Sequence, residues 1–95
     1  MFIIWGISMP IISMFFGIAI KVFYREHNPP HFHAYYHGHE AIFNIRTGEL
    51  IEGKFPLKAC KIIKEWSLEH QDELINIWDL AQNGKPLFRI PGADQ

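Results

Sequence analysis

The sequence predicts an α+β fold in which a three- to four-stranded antiparallel sheet packs against two C-terminal helices. The first half shows the period-2 alternation of half-buried strands, and its short connections favour antiparallel neighbours. The second half carries an apolar stripe with helical spacing. With 95 residues, the chain has material for one domain. We predict an N-terminal extension over residues 1–8, a single α+β domain over residues 9–90 and a frayed tail over residues 91–95.

The predicted sheet runs from Phe16 to Lys54. Apolar and polar residues alternate up to Tyr24, which is typical of a strand with one buried face. Asn28-Pro29-Pro30 is then a stiff extended linker, because each proline removes a donor and restricts the residue before it. Turn residues separate the segments that follow. The predicted strands run from about Phe15 to Tyr24, from His31 to Tyr36, from Ala41 to Ile45 and from Leu50 to Glu52.

The helical half begins after Pro56, which suits a first helical position, and ends at Asn83-Gly84 before Pro86. A single helix over this stripe would measure about 38 Å, longer than a domain of this size is wide. We therefore favour two helices with a break between His70 and Asp72. The stripe consists of Ala59, Ile63, Trp66, His70, Leu74, Ile77 and Ala81.

Composition excludes several classes of protein. The formal net charge of −1 argues against binding nucleic acid mainly by electrostatics, although a local basic patch stays open. The single cysteine, Cys60, cannot form an intramolecular disulfide, which suits a cytoplasmic protein. None of the first twenty residues is charged, but Pro10 interrupts this run and no basic residue precedes it, so we do not expect a membrane span.

Chemistry is concentrated in one segment, His27 to His39, which holds five of the six histidines. His31 and His33 leave the same face of a strand with Cα atoms about 6.6 Å apart, a spacing that can chelate one metal ion. The Cα atom of His27 lies about 12 Å from that of His31 along an extended linker, so it joins them only if the linker curves. We predict a Zn²⁺ or Ni²⁺ site on His27, His31 and His33, with Glu26 and His70 as further candidates.

Two other interpretations of these histidines stay open. They could act as general acid and base in an RNase or another phosphodiester hydrolase, with Arg25 or Arg46 stabilising developing charge around His31 and His33. They could also form hydrogen bonds that only fix a loop. The chain has no phosphate loop, GxSxG, HExxH or CxxC motif to support a commoner class of enzyme.

A basic run marks the entrance of the first predicted helix. A solvated helix face is the favoured interpretation, and contact with phosphate or an acidic partner is the alternative. The run consists of Lys54, Lys58, Lys61 and Lys64.

The histidine segment also carries a family resemblance, centred on the run from Glu26 to Ala34 (EHNPPHFHA). The chain resembles the small prokaryotic domain-of-unknown-function family 4160 over roughly Met9 to Pro86. Outside the central run, the resemblance rests on Met9-Pro10, Ile12-Ser13, Phe16-Gly17-Ile18, Thr47-Gly48-Glu49, Glu52-Gly53, Phe55-Pro56, Glu65-Trp66, His70, Glu73-Leu74, Trp78 and Asn83-Gly84.

This resemblance implies a role in a two-gene pair and no catalytic residue. Members of the family are often encoded beside a second small domain, in a pairing like a toxin–antitoxin module, and some are labelled transcriptional regulators. We therefore expect a small cytoplasmic interaction component whose partner is a protein encoded nearby or a second copy. A DNA-binding regulator is the weakest alternative, because no helix-turn-helix signal precedes a basic recognition helix.

Overall fold

The computed structural model describes residues 10–95 and contains one sheet and two helices. The predicted N-terminal extension, residues 1–8, lies outside the described residues. The fold is α+β, as the sequence predicts. The strands are β1 (Ile11–Phe15), β2 (Ile18–Lys21), β3 (His31–Tyr36), β4 (His39–Asn44) and β5 (Leu50–Gly53), and the helices are α1 (Leu57–Glu69) and α2 (Gln71–Gln82).

The sheet is an antiparallel meander in the order β1-β2-β3-β4-β5. Its five strands exceed the predicted three or four, because a further strand, β1, precedes the region predicted as the first strand and pairs with β2 as a hairpin. Phe16 and Gly17 turn the chain there, with φ of 50° and 78°. A bulky residue such as Phe16 rarely adopts a positive φ, so the sequence does not announce this turn. His37 and Gly38 form the equivalent turn between β3 and β4, with φ of 44° and 81°.

The helical stripe is divided into two helices, in agreement with the favoured prediction. His70 lies between them with a φ of −112° and ψ of 27°, outside the helical region of its neighbours. The stripe faces the interior on both sides of this break, and Ile63, Leu74 and Ile77 are fully buried. No helix within residues 10–95 is long and apolar enough to cross a membrane.

The core lies between the helices and one face of the sheet. Phe32 of β3 stacks on Phe43 of β4, with ring centroids 5.5 Å apart, and meets the indole of Trp66 from α1 edge-on. Phe15 from β1 also contacts Trp66. This face supplies the aromatic centre of the core, which leaves alternate residues of β3 for the opposite face.

The last residues of the chain pack along β1. The amide of Ile90 donates to the Ile12 carbonyl at 2.8 Å, and the Ser13 hydroxyl donates to the Ile90 carbonyl at 2.8 Å. The Trp66 indole donates to the carbonyl of Pro91 at 2.9 Å. Ile90 itself is buried. The domain boundaries predicted from the sequence stay a prediction, and these contacts describe how the chain lies across the boundary at residue 90.

Candidate metal centre

The site is built on the first residues of β3. Phe32 and Ala34 are fully buried on the core side of the strand, so His31 and His33 leave from the other side. Both histidines are nonetheless buried, with exposed fractions of 8% and 6%. The shared face that their spacing requires is therefore present, with little solvent around the two rings.

Glu26 joins the two imidazoles. One of its carboxylate oxygens, Oε1, lies 3.0 Å from Nε2 of His31 and 2.8 Å from Nε2 of His33. One potential ligand atom from each residue lies within 4.8 Å of the other two. Two neutral imidazoles and a carboxylate are ligands that zinc and neighbouring divalent metals accept, so this group can hold a metal ion.

The hydrogen bond at Nδ1 of His31 determines which ring nitrogen carries the hydrogen and which faces Glu26. Its Nδ1 lies 2.8 Å from the Pro29 carbonyl oxygen, which can only accept, so Nδ1 carries the hydrogen and donates. In the neutral ring, Nε2 then offers a lone pair to Glu26. Two acceptors 3.0 Å apart repel each other, and the contact becomes favourable only with a proton or a metal cation between them. A backbone acceptor behind a ligating histidine is the usual means of orienting it toward a metal.

His33 lacks an equivalent support. Its Nδ1 atom is buried and has no hydrogen-bond partner within residues 10–95. The ring is held by packing: Phe23 stacks on it, with ring centroids 4.2 Å apart and an interplanar angle of 17°. Trp78 of α2 contacts His31 in a tilted arrangement, with centroids 5.0 Å apart and an interplanar angle of 54°. Aromatic rings therefore exclude water from both imidazoles.

The loop between β2 and β3 places Glu26 over the strand. Arg25 has a positive φ of 58°, which turns the chain just before Glu26. The loop is tied to the segment that follows α2, because the Tyr24 hydroxyl donates to the Lys85 carbonyl at 2.8 Å. The Asn28–Pro29 peptide bond is cis. Glu26, the ligand with the most exposed side chain at 26%, comes from this loop and faces the open side of the site.

The other residues predicted for the site lie outside this group of three. His27 is exposed, and His70 bonds to Glu73 in the helical region, with its ring against Trp66. The Arg25 guanidinium packs over Gly84. Arg46 is exposed, and its amide is bonded to Asn44. The two histidines of the β3–β4 turn, His37 and His39, are both exposed.

A family comparison covers strands β2 to β5, the histidine site, all of α1 and most of α2. The family described as "Domain of unknown function (DUF4160)" matches residues 17–79, two thirds of the chain. The chain belongs to the DUF4160 family. The match is narrower than the predicted resemblance and includes Glu26, His31, His33 and Trp78. Comparisons with curated proteins and with solved structures found no match.

In this DUF4160 chain, two further side chains lie beside the histidines, and only the tertiary structure reveals them. Lys21 of β2 pairs directly with His33, and its ammonium lies 4.6 Å from the ring centre of Tyr35. Burial raises the pKa of Tyr35 to about 12, and the carboxylates of Glu40 and Glu26 add to the effect. The sheet register brings a cation and a phenol beside the histidines, and no sequence motif marks either.

Proposed function

We propose that this DUF4160 chain is a small metal-binding domain that holds one Zn²⁺ or Ni²⁺ ion on Glu26, His31 and His33, and that it acts as the interaction component of a two-gene pair. The observation that carries the metal assignment is the lone pair of His31 Nε2, aimed at the Glu26 carboxylate by the bond from Nδ1 to Pro29. A divalent cation satisfies both groups at once.

The contacts of Glu26 with the two imidazoles are close to the separations that a zinc ion would set. Zinc bonds of about 2.0–2.1 Å in tetrahedral geometry place neighbouring ligand atoms about 3.3 Å apart. The carboxylate oxygen lies 2.8 Å and 3.0 Å from the two Nε2 atoms, so it must retreat by a few tenths of an ångström. Glu26 lies on a loop, whereas both histidines belong to a paired strand. The carboxylate is therefore the ligand that adjusts.

The test is the metal content of the untagged chain, measured by mass spectrometry after purification and after incubation with Zn²⁺ or Ni²⁺. We expect about one ion per chain and its loss in the variant His31→Ala/His33→Ala. The matched control is His37→Ala/His39→Ala, which removes the same number of imidazoles from the same segment. Its metal content should equal that of the parent chain. Metal content near zero in the parent, or equal losses in both variants, contradicts the assignment.

The Nδ1 atom of His31 has a hydrogen-bond partner and that of His33 has none among the described residues, so the two histidines should contribute unequally to metal affinity. His31 is oriented by the Pro29 carbonyl, whereas metal binding to His33 leaves a hydrogen on a buried Nδ1 that has no acceptor within residues 10–95. A buried donor without a partner costs about 1–3 kcal/mol. We therefore expect His31→Ala to weaken Zn²⁺ binding more than His33→Ala, by about tenfold or more. Competition titrations with a chromogenic chelator measure both constants, and the reverse order contradicts this account of the site.

The interaction role rests on the gene pairing that the family resemblance implies, and it is tested separately. The untagged chain, expressed together with its neighbouring gene, should copurify with that product through two chromatographic steps. A chain that never does so contradicts the interaction role and leaves the metal assignment intact. The neighbour's sequence also distinguishes a toxin–antitoxin-like pair from a regulatory one.

A second function is favoured by the number of ligands. Three protein ligands leave a coordination position for water, as in hydrolytic zinc sites, and Lys21 lies opposite His33 where an anionic substrate would gain a cation. The corresponding activity is phosphodiester hydrolysis. Cleavage of a fluorogenic RNA that requires added Zn²⁺ and disappears in His31→Ala/His33→Ala would establish it, provided that the variant keeps its circular dichroism spectrum. Equal cleavage by the variant would reject it.

A further inference from the structure

A cavity lies away from the histidines, between β5 and α1. It is an open groove with a volume of about 650 Å³. The β5 side contributes Leu50, Gly53 and Lys54, and the helix contributes Leu57, Cys60 and Lys61. The groove draws residues from β4, β5 and α1, so its walls are separate elements of the fold.

The lining of the groove is apolar and incompletely covered. Phe43 and Phe55 belong to the core and form part of the groove surface. Leu57, at the start of α1, lines the groove and leaves 87% of its surface exposed. Burial raises the pKa of the Cys60 thiol, so this side chain is neutral in the groove. A ligand that covers this surface removes apolar area from water.

One wall of the groove is an unpaired strand edge. β5 is the last strand of the sheet, and no described strand pairs with its outer edge. Gly53 is exposed, and because glycine has no side chain, this exposure is that of backbone atoms. Such an edge offers donors and acceptors to an added strand. An edge strand beside a helix is the arrangement through which several peptide-binding domains take up an extended segment.

The rim of the groove is cationic. Lys54, Lys61 and Lys64 line it, and Lys64 is paired with Glu49. No carboxylate from residues 10–95 lies within ion-pair distance of Lys54 or Lys61. The basic run of the sequence thus places two lysines, with no acidic partner in this part of the chain, beside an apolar floor. Charge complementarity requires carboxylates on the occupant.

We propose that the groove binds an extended acidic segment of a partner protein, which adds to β5 as a sixth strand. Apolar side chains of the segment cover Leu57 and Phe55, and its carboxylates meet Lys54 and Lys61. The inference rests on the interaction role proposed above and gives that role a surface. It does not involve Glu26, His31 or His33.

The test uses a library of fluorescent heptapeptides that alternate Val, Ile, Leu, Phe or Tyr with Asp or Glu. The full chain, treated with EDTA, is titrated by fluorescence anisotropy, and nuclear magnetic resonance maps the bound peptide. We expect dissociation constants below about 1 mM for a subset of members, with shifts in the amides of Ile51 to Lys54. The control library replaces every acidic residue with lysine and should not bind.

Substitutions in the groove test whether it is the surface that binds the acidic heptapeptides. Lys54→Glu/Lys61→Glu should weaken binding by about tenfold or more. The matched control is Lys58→Glu, because Lys58 lies on the same helix and lines a different cavity, with Phe16 and Tyr36. It should bind as the parent does. Absence of binding by every acidic member, equal effects of the two changes, or amide shifts confined to other strands would each overturn the proposal.

Two further measurements separate this proposal from competing explanations. Sedimentation equilibrium of the free chain tests whether a second copy occupies the β5 edge, and a dimer broken by Lys54→Glu/Lys61→Glu would replace the partner with self-association. Titration of His31→Ala/His33→Ala separates the groove from the metal site. This variant should bind peptide as the parent does. A parent chain that binds peptide but holds no metal rejects only the metal assignment, whereas a parent chain that holds metal but binds no peptide rejects only the groove.

Discussion

The two edges of the sheet are treated differently by the fold. At β1, the C-terminal residues run alongside the strand, and Ile90 exchanges hydrogen bonds with Ile12 and Ser13. At β5, no described strand or tail covers the backbone, and Gly53 is exposed. Exposed edges invite association with other chains, and proteins usually cover or disrupt them. One edge here is closed by the chain's own end, and the other is open beside an apolar groove.

The contrast shows that a fold of this size can cover a sheet edge with its own residues. The covered edge contributes to the core, since Ile90 is buried and Trp66 bonds to the Pro91 carbonyl. Beside the open edge, Leu57 of α1 leaves 87% of its surface exposed, and Ile51 of β5 leaves 48% exposed. The β1 edge is therefore expected to govern stability and the β5 edge to govern association.

Removing residues 90–95 should have the largest effect, because it makes the β1 edge resemble the β5 edge. The truncated chain loses the burial of Ile90, worth about 1.5–3 kcal/mol, and three hydrogen bonds of about 0.5–1.5 kcal/mol each. We expect the free energy of unfolding to fall by about 3–7.5 kcal/mol. Urea unfolding followed by tryptophan fluorescence measures this change.

A shorter truncation provides the control for this prediction. Removal of residues 93–95 leaves the contacts of Ile90 and Pro91 in place and should cost less than about 0.5 kcal/mol. If both truncations lower the free energy of unfolding equally, the packing of Ile90 along β1 is not what stabilises that edge.

A pair of serine substitutions should have an intermediate effect. Ser13→Ala removes the hydroxyl that donates to the Ile90 carbonyl and should cost about 1–2 kcal/mol. Ser67 is equally buried, but its hydroxyl donates to the Lys64 carbonyl within its own helix, so Ser67→Ala should change stability by less than about 0.5 kcal/mol. Urea unfolding of both variants tests the difference. Equal effects would mean that Ser13 stabilises the protein only through local packing.

The sequence predicts the two helices better than it predicts the β1 edge of the sheet. The helical stripe and the break at His70 follow from spacing and length, because local periodicity carries that information. The β1–β2 hairpin was missed because its turn uses Phe16 in a conformation that bulky residues avoid. Without that hairpin, the sequence does not indicate that β1 is an edge strand. The packing of Ile90 along β1 is also not predictable from local patterns, because it depends on contacts between residues distant in sequence.

In the candidate site, too, the residues set by local spacing are predictable and those set by tertiary contacts are not. His31 and His33 can be placed on one face from their spacing alone, since a strand has a period of two. Glu26 needs the loop turn at Arg25, and Trp78 needs the docking of α2. His27, which the sequence includes among the metal ligands, is exposed and lies outside the group of Glu26, His31 and His33. Local spacing therefore predicts pairs of ligands, and the third ligand depends on the loop.

The smallest predicted effect concerns the open edge and has the opposite sign. Leu57→Glu should raise the free energy of unfolding by about 0.3–1 kcal/mol, because the first turn of α1 has no acidic residue and a carboxylate there is favoured by the helix dipole. Leu57→Gln is the matched control: it removes the same apolar side chain without adding charge and should leave stability within about 0.5 kcal/mol of the parent. Both substitutions should nevertheless weaken binding of the acidic heptapeptides, since each removes apolar surface from the groove and Leu57→Glu adds a repelling charge. Urea unfolding and anisotropy measured on the same samples give the two quantities. A loss of stability above about 1 kcal/mol in Leu57→Gln would mean that this side chain stabilises the fold. The open edge would then differ less from the covered one than its exposure indicates.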